Sequence, residues 1–298
     1  WIGTYGGLYR FNGKNMELIQ TDNAVKNVNC LFVDSDNRLW VGTNANGLAV
    51  LVDGRVVAKM NEQDGLPSNS VRSIACDSKG NYYVGTTGAL AIVTLQNDAF
   101  QLVSTIAETS FVESIAINSE DTVVVTNDIG ACYILKNGQV AGQISSPIEN
   151  ESFSCATFSS DGALCAGVGE NIVLYKLDGT TATQIQQVAC PGLDEIMSLY
   201  VSPRNRLIIC GYTGVAYMDV QNNYRPLATG NFTSDIGHAM VDYQGNVWLT
   251  SSRQGLLKLR VSPFTEVYAQ AGLTPKVVNA ITNWQGSYYM GTDNGIDT

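Results

Sequence analysis

A repeat of about 41 residues runs through the whole chain, and it is the feature that most restricts the fold. Its clearest mark is two bulky residues, one further apolar residue and then Gly-Thr, as in LWVGT (39–43), YYVGT (82–86) and YYMGT (288–292). An internal period of this length is typical of solenoids and propellers. With this glycine, or the residue that replaces it, as the anchor, equivalent positions recur every 39 to 43 residues at Gly3, Gly42, Gly85, Thr126, Gly167, Cys210, Thr250 and Gly291.

Two further columns keep the same register without a gap. An aliphatic or aromatic residue precedes the anchor by fourteen positions, at Val28, Val71, Val112, Phe153, Ile196, Ile236 and Val277. A polar turn residue follows six positions later, at Asp34, Asp77, Asn118, Ser159, Ser202, Asp242 and Asn283. Seven ungapped recurrences indicate one structural unit used repeatedly.

Each period consists of four short strand patterns, which we name strands A to D. In one copy they cover residues 70–77, 82–86, 89–95 and 99–105, and Gly, Asn and Asp stand in the turns between them. These residues tolerate the positive φ of tight hairpins. Four antiparallel strands in such a period are the pattern of a propeller blade. We therefore predict an all-β protein with a single β-propeller domain over residues 1–298.

The number of blades follows less directly. Seven A strands favour seven four-stranded blades, but there are eight B strands when residues 1–4 are counted. Residues 5–20 would then complete the last blade and leave one B strand spare. The alternatives are an eighth, incomplete blade or a section of a longer tandem array.

The segment DGLPSNSVRSIACDSKGNYYVGTTGAL (64–90) resembles the repeats of the two-component regulator propeller family, and residues 35–48 and 271–296 are similar to them too. Copies three to five depart from the Gly-Thr motif. The resemblance implies an extracytoplasmic sensor portion, periplasmic or at the cell surface, of a bacterial membrane signalling protein. It further implies a tether and an output kinase or other signalling domain elsewhere in the full-length chain, and carbohydrate as one class of ligand.

Composition excludes several other functions. The net charge of −10 argues against nucleic acid and anionic membranes, since both need basic patches. The seven cysteines include no CxxC pair, and six lie in apolar strand patterns, so we interpret them as buried thiols. Cys190 is the exception, in a predicted loop. Cys155 and Cys165 could face each other across a predicted hairpin, and the sequence does not establish a disulfide between them.

No catalytic constellation is evident. His238 is the only histidine, which excludes metal sites that need several imidazoles and leaves any Ser-His-Asp arrangement without support. No G-x-G-x-x-G motif opens a helix, so we predict no cofactor and no metal. We predict a protein that is not an enzyme. A lyase-type propeller enzyme with His238 as its base is an alternative, because some lyases have similar repeats.

Ligands of propellers bind where loops converge at one end, and here that end carries the D–A and B–C loops. The residue after the first position of strand A varies from copy to copy: Asn29, Arg72, Glu113, Ser154, Met197, Gly237 and Val278. From this column and the B–C loops we predict these ligand-binding residues: Asn29, Asn44, Asn46, Arg72, Glu113, Tyr212, His238 and Arg253. For His238 a structural role in strand A is the alternative.

The sequence therefore predicts a ligand-binding sensor domain for a small molecule or oligosaccharide. Binding would change packing or dimer geometry, so a homodimer is among the expected partners. The alternatives are a protein–protein interaction propeller without a small ligand and the lyase-type enzyme.

Overall fold

The computed structural model divides the chain into two compact units, Trp1–Leu259 and Arg260–Thr298. The residues it describes are 1–21, 23–219, 221–260, 267–270, 272 and 274–298.

The first unit holds seven antiparallel sheets, and within each sheet the strands pair in chain order. Sheet 1 has β1 (Ile2–Thr4), β2 (Gly7–Phe11) and β3 (Met16–Leu18). Sheet 2 has β4 (Val28–Val33), β5 (Leu39–Thr43), β6 (Leu48–Val52) and β7 (Arg55–Met60), and a 3₁₀ helix (Glu62–Asp64) follows it. Sheet 3 has β8 (Val71–Cys76), β9 (Tyr82–Thr86), β10 (Leu90–Gln96) and β11 (Ala99–Ile106).

The remaining four sheets of this unit follow the same plan. Sheet 4 has β12 (Val112–Ile117), β13 (Val123–Asn127), β14 (Cys132–Lys136) and β15 (Gln139–Ile144). Sheet 5 has β16 (Phe153–Phe158), β17 (Leu164–Val168), β18 (Asn171–Asp178) and β19 (Thr181–Ala189). Sheet 6 has β20 (Ile196–Val201), β21 (Leu207–Gly211), β22 (Val215–Met218) and β23 (Tyr224–Pro226). Sheet 7 has β24 (Ile236–Val241), β25 (Val247–Ser251) and β26 (Gly255–Leu259).

The second unit contains a short helix, α1 (Val267–Gln270), and sheet 8, formed by β27 (Val278–Trp284), β28 (Ser287–Thr292) and β29 (Gly295–Asp297). Strand β27 is exposed along its whole length. A two-residue turn, Gln285-Gly286, joins β27 to β28, and both residues have positive φ. Because this turn is shorter than in the other sheets, Asn283 lies inside β27 rather than in the predicted turn, and the A-strand pairing moves by one residue.

These sheets confirm the all-β propeller fold predicted from the repeat. Every anchor position lies in the B strand of its sheet, and four-stranded sheets predominate. The described residues form eight sheets, because sheet 8 pairs within itself. A single propeller domain over residues 1–298 stays a prediction.

Within the first unit the sheets stand side by side around a centre. The innermost strands of sheets 1 to 7 contact one another in sequence, from β1 and β4 through to β20 and β24. Phe11 of sheet 1 also packs edge-on against Trp248 of sheet 7, with ring centroids 5.5 Å apart. Stacking of this kind covers both faces of each sheet, and the B strands of sheets 2 to 6 are buried throughout.

The anchor glycine and the first residue of strand A make one contact between neighbouring sheets. A Cβ on Gly42 would lie 2.6 Å from Cγ1 of Val71, and a Cβ on Gly85 would lie 2.5 Å from Cγ1 of Val112. Val28 against Gly3 and Ile196 against Gly167 repeat the arrangement. The aliphatic column therefore packs on the glycine column of the preceding sheet, which explains why the two columns recur together.

The polar turn column ties strand A to strand B through its side chains. Asp34 accepts hydrogen bonds from the backbone of Asp36 and Arg38 and from the indole of Trp40, at 2.8 to 3.0 Å. The Tyr82 hydroxyl of sheet 3 donates to the same carboxylate at 3.0 Å, and its ring stacks on Trp40 at 3.7 Å. Burial opposes the charge of Asp34, but the bonds from Trp40 and Arg38 outweigh burial and lower its pKa.

All seven cysteines are free thiols. Five are buried, Cys30 and Cys76 are half-buried, and Cys190 is fully buried although it follows the end of β19. Desolvation raises the pKa of these thiols to about 11 for Cys76 and Cys190, and to about 12 for Cys30, Cys132, Cys155, Cys165 and Cys210.

The glycine contact can be tested by adding one methyl group. We expect Gly85→Ala to lower the free energy of unfolding by about 1–3 kcal/mol, because its Cβ would overlap Val112. Urea denaturation measures the change. Gly6→Ala is the matched control, because the nearest atom to its Cβ is 3.8 Å away. Equal stability of the two variants would contradict the packing role.

Asp34 should give the fold a pH-dependent part of its stability. Its pKa is lower in the folded chain than the unfolded value of about 3.9, so its contribution is present above that pH and is lost on further acidification. We expect Asp34→Asn to cost about 1–3 kcal/mol at pH 7 and less at pH 3. Urea denaturation at both pH values tests this, with Asp178→Asn, exposed at the end of β18, as control. A pH-independent cost would count against it.

The thiols should be unreactive in the native protein. At pH 8 a thiol of pKa about 12 is ionised to roughly one part in ten thousand, and only the thiolate attacks a disulfide reagent. We expect slow labelling by Ellman's reagent in buffer and release of seven equivalents in denaturant. A thiol that reacts within seconds in buffer would show that one site is open.

Candidate functional site

The D–A and B–C loops of the first unit are joined by backbone hydrogen bonds that pass from sheet to sheet. The amide of Asn27 donates to the carbonyl of Tyr5, and the amide of Asn44 donates to the carbonyl of Asn27, both at 2.9 Å. We call the surface that these loops form the loop face. Backbone hydrogen bonds of the same kind join successive loops at Ser70, Thr87, Phe111 and Asp128, and also at Glu195, Tyr212 and Asp235.

The variable column of strand A proves to be a β-bulge in six sheets. The pairing between strands A and B shifts on either side of this residue in sheets 2 to 7. A bulged residue takes no part in the ladder of hydrogen bonds between the strands, and its side chain points in a different direction from that of a regular strand residue. This freedom explains why the column varies while its neighbours repeat. The bulged residues are Asn29, Arg72, Glu113, Ser154, Met197 and Gly237, and in sheet 8 the equivalent is Asn279 rather than Val278.

Arg72 and Glu113 form an ion pair between two neighbouring bulges. Nε and Nη2 of Arg72 donate to Oε2 of Glu113 at 3.2 and 2.8 Å. Both side chains are about one third exposed, at 34% and 28%. The guanidinium also lies 5.4 Å from the ring centre of Phe111. Phe111 has a φ of 51°, an uncommon conformation for a bulky residue and one that is found at ligand sites.

The three predicted asparagines connect loops rather than converge on one point. Nδ2 of Asn29 donates to the carbonyl of Val71 at 3.0 Å and lies 3.4 Å from Oδ1 of Asn44. Nδ2 of Asn46 donates to the carbonyl of Asn23 at 3.1 Å. Asn29 and Asn44 are therefore brought together, whereas Asn46 is engaged with the preceding D–A loop.

Tyr212 and Arg253 form the second pair between neighbouring sheets. Nη2 of Arg253 donates to the Tyr212 hydroxyl at 2.9 Å, and its guanidinium lies 5.7 Å from the centre of that ring. Nε of Arg253 is 4.0 Å from Asp235. The Tyr212 ring is partly open to solvent, so one apolar surface is available beside two charges.

His238 lies on β24 and is exposed to solvent, and its imidazole makes no hydrogen bond to any residue that the structure describes. This differs from a buried structural histidine held by partners. Although solvent reaches part of the side chain, the strands packed around the imidazole still disfavour its charged form by desolvation and lower its pKa. The side chain is therefore mostly neutral at pH 7 and is able to donate one hydrogen bond and accept another.

The eight predicted residues thus fall into local sets. Asn29 with Asn44, Arg72 with Glu113, and Tyr212 with Arg253 are in contact, and across the described ranges no hydrogen bond joins one set to another. Sequence reasoning missed Phe111, because its positive φ is a property of the folded loop. The sets offer amides, one ion pair and aromatic faces, which suit recognition of a polar ligand.

Two grooves lie away from these residues. One, of about 630 Å³ between sheets 3 and 4, is lined by charged groups that include Asp77, Lys79, Asp121 and Lys136. The other, of about 390 Å³ between sheets 4 and 5, is lined by uncharged side chains. None of the eight predicted residues lines either groove.

In the described part of the chain, no three His, Cys, Asp or Glu side chains are placed to hold a metal ion. Among the same residues, no helix has the length and apolar character needed to span a membrane.

Three solved structures with similar folds have been compared with the chain. The extracellular domain of a putative hybrid two component system from B. thetaiotaomicron superposes with a TM-score of 0.71 at 18% identity, over 98% of this chain and 43% of that one. The extracellular domain of a putative one component system from the same organism gives 0.69 at 19%, over 99% and 42%. Virginiamycin B lyase from Staphylococcus aureus gives 0.69 at 15%, over 87% and 89%.

At these identities the similarity shows the fold, and the chain spans less than half of either extracellular domain. No curated protein sequence matches it. Residues 24–45 and 65–88 match the family model described as two component regulator propeller. Both segments span a D–A loop and the strands that follow it, where the repeat motif is strongest. Two stretches of the chain, in sheets 2 and 3, are therefore similar to two component regulator propeller repeats.

Proposed function

We propose that this chain is the ligand-binding sensor domain of a bacterial membrane signalling protein. The match to two component regulator propeller repeats carries the proposal. Fold similarity to the extracellular domains of a putative hybrid two component system and of a putative one component system supports an extracytoplasmic location. In this proposal a tether and a kinase or other output domain lie in the full-length chain, outside the 298 residues.

The loop face is the proposed binding surface, and small molecules or oligosaccharides are the proposed ligands. At this surface, two bulged residues, Arg72 and Glu113, form a partly exposed ion pair beside the ring of Phe111. Both bonds from Arg72 reach Oε2, which leaves Oε1 of Glu113 to accept a bond from a ligand hydroxyl. Binding would change the backbone hydrogen bonds between neighbouring sheets or the geometry of a homodimer. That change would pass the signal to the output domain.

A protein-interaction platform is the second candidate, and two exposed side chains favour it. Tyr5 and Ile129 stand on B–C loops with 85% and 73% of their surface exposed. Tyrosine is enriched at protein–protein interfaces, and an exposed isoleucine can add apolar contact area there. In this case the loop face would hold a partner protein and no small ligand.

A lyase-type activity is the weaker alternative. The similarity to virginiamycin B lyase concerns the fold, and His238 is the only imidazole available as a base. No described carboxylate is hydrogen-bonded to that imidazole to orient it, as general acid–base catalysis usually requires. We propose that the protein is not an enzyme. Lyase activity on virginiamycin B that is lost in His238→Ala would contradict this.

The proposed function is tested by titrating the protein with a glycan panel in thermal-shift and calorimetric assays. We expect at least one glycan to bind and to stabilise the fold. Arg72→Ala should lower the affinity for that glycan tenfold or more, because a charge-assisted contact is lost. Arg55→Ala, on the exposed outer strand β7, is the matched control and should bind like the wild type.

Two outcomes would contradict the proposal. Unchanged affinity in both Arg72→Ala and Tyr212→Ala would show that the ligand does not bind at the loop face. Absence of any glycan binding, together with retention of a partner protein that depends on Tyr5 and Ile129, would favour the interaction platform.

A further inference from the structure

The A–B turn of sheet 3 repeats the A–B turn of sheet 2 but lacks its cation. In sheet 2, Nε of Arg38 donates to the carboxylate of Asp34 at 2.7 Å, and Nη2 donates to the Tyr82 hydroxyl of the next sheet at 3.0 Å. In sheet 3 the equivalent carboxylate is Asp77, and Asn81 stands in the place of Arg38. The carboxamide of Asn81 donates to Asp77 at 2.8 Å and supplies no charge.

Within the described residues, the carboxylate of Asp77 is buried without an ion pair. The residue is 8% exposed, and its oxygens accept bonds from the backbone amides of Lys79 and Asn81 and from the Asn81 carboxamide. The ammonium of Lys79 lies 4.0 Å from a different carboxylate, that of Asp121 in sheet 4. A buried charge without a counter-charge is costly, so a cation placed beside Asp77 would be stabilising.

The interface between sheets 3 and 4 has smaller side chains than the preceding one and contains the charged groove. Trp40 of sheet 2 is fully buried and stacks on Tyr82 of sheet 3. The equivalent pair at the next interface is Tyr83 and Val123. The groove of about 630 Å³ lies there, between the A–B turns of both sheets and the turn from β14 to β15. Its volume is within the range of small-molecule sites.

The hydroxyl of Tyr83 lies at the wall of this groove. Its ring belongs to the apolar cluster of sheets 3 and 4, and the residue lines the groove. Desolvation, and then the charges of Asp77 and Asp121, raise the pKa of Tyr83 to about 12. Both carboxylates line the groove as well, so the protonated hydroxyl lies beside groove-lining charges. By contrast, the hydroxyl of Tyr175 in sheet 5 is enclosed and has no partner among the described residues.

Two lysines restrict the charge of a ligand for this groove. Lys79 and Lys136 line it together with three carboxylates, those of Asp77, Glu120 and Asp121. The contact between Lys79 and Asp121 is the single ion pair that its lining residues form in the described structure, so half-buried Lys136 is free to hold an anion. A ligand with several positive charges would be repelled by both lysines. The walls therefore suit one cationic and one anionic group.

We propose that this groove is a second binding site, separate from the loop face, for a small zwitterion. Its guanidinium or ammonium group would lie beside Asp77, and its anionic group would pair with Lys136. The guanidinium of Arg38 shows the arrangement, because it holds this position at Asp34 in sheet 2. Such charge-assisted bonds are among the strongest, and the Tyr83 hydroxyl offers a further acceptor.

The proposal is tested by calorimetric titration of the 298-residue chain with four matched probes. We expect 4-guanidinobutyrate or 5-aminovalerate to bind, and the one that binds identifies the cationic group that the groove accepts. The neutral isostere 4-ureidobutyrate should bind at least tenfold more weakly, because it brings no positive charge to Asp77. Butylguanidinium should also bind more weakly than 4-guanidinobutyrate, because it has no carboxylate for Lys136.

Two variants locate the site. Asp77→Asn should lower the affinity tenfold or more, because the charge-assisted contact is lost. Asn81→Arg should lower it as much, because the new guanidinium would take the place of the ligand's cation, and this variant keeps the carboxylate that closes the turn. Asp178→Asn, exposed at the end of β18 and outside the groove, is the matched control and should bind like the wild type. Arg72→Ala should too, which separates this site from the loop face.

Four results would overturn the inference. The first is no binding of either 4-guanidinobutyrate or 5-aminovalerate. The second is equal affinity for 4-ureidobutyrate, which would show that the positive charge is not recognised. The third is equal affinity for butylguanidinium, which would exclude the contact with Lys136. The fourth is unchanged affinity in Asn81→Arg. None of these results bears on the loop face, whose own test depends on Arg72 and Tyr212.

Discussion

The contact between a glycine in one sheet and an aliphatic side chain in the next is the constraint on which the first unit depends. At Gly85 no space remains for a Cβ because Val112 occupies it, and at Gly42 Cys30 of the same sheet and Val71 of the next sheet occupy it together. Strand B of sheets 1, 2, 3 and 5 thus leaves space at its glycine for the first residue of the following strand A. Close approach of this kind fixes the distance between neighbouring sheets, and interiors packed at this density tolerate few changes of volume.

A second set of interactions works at the opposite ends of the strands. Asp34 closes the turn between strands A and B, holds the Trp40 indole, and receives the hydroxyl of Tyr82 from the next sheet. Asp242 repeats the local part of this arrangement with Trp248. The sheets are therefore joined by apolar packing near the glycine and by a charge-assisted network near the turn. Between these two zones the B strands remain fully buried.

Function is expected where this repetition fails. The β-bulge in strand A releases one residue in each sheet from the ladder, so that Arg72 and Glu113 can differ without disturbing the pairing around them. A rigid, repeated scaffold with variable positions at its edges is a common arrangement for binding proteins.

The sequence by itself determined the class of fold, the four-strand pattern of the repeat and the position of the anchor column in strand B. These depend on local patterns, namely alternation along a strand, turn residues such as Asp34 and the regular spacing of Gly42 and its equivalents. Only the tertiary structure decided the bulges, the pairing of sheet 8 and the isolation of the Tyr175 hydroxyl. These features depend on which atoms a neighbouring strand or sheet places opposite a residue, and one sequence position carries no record of its distant neighbours.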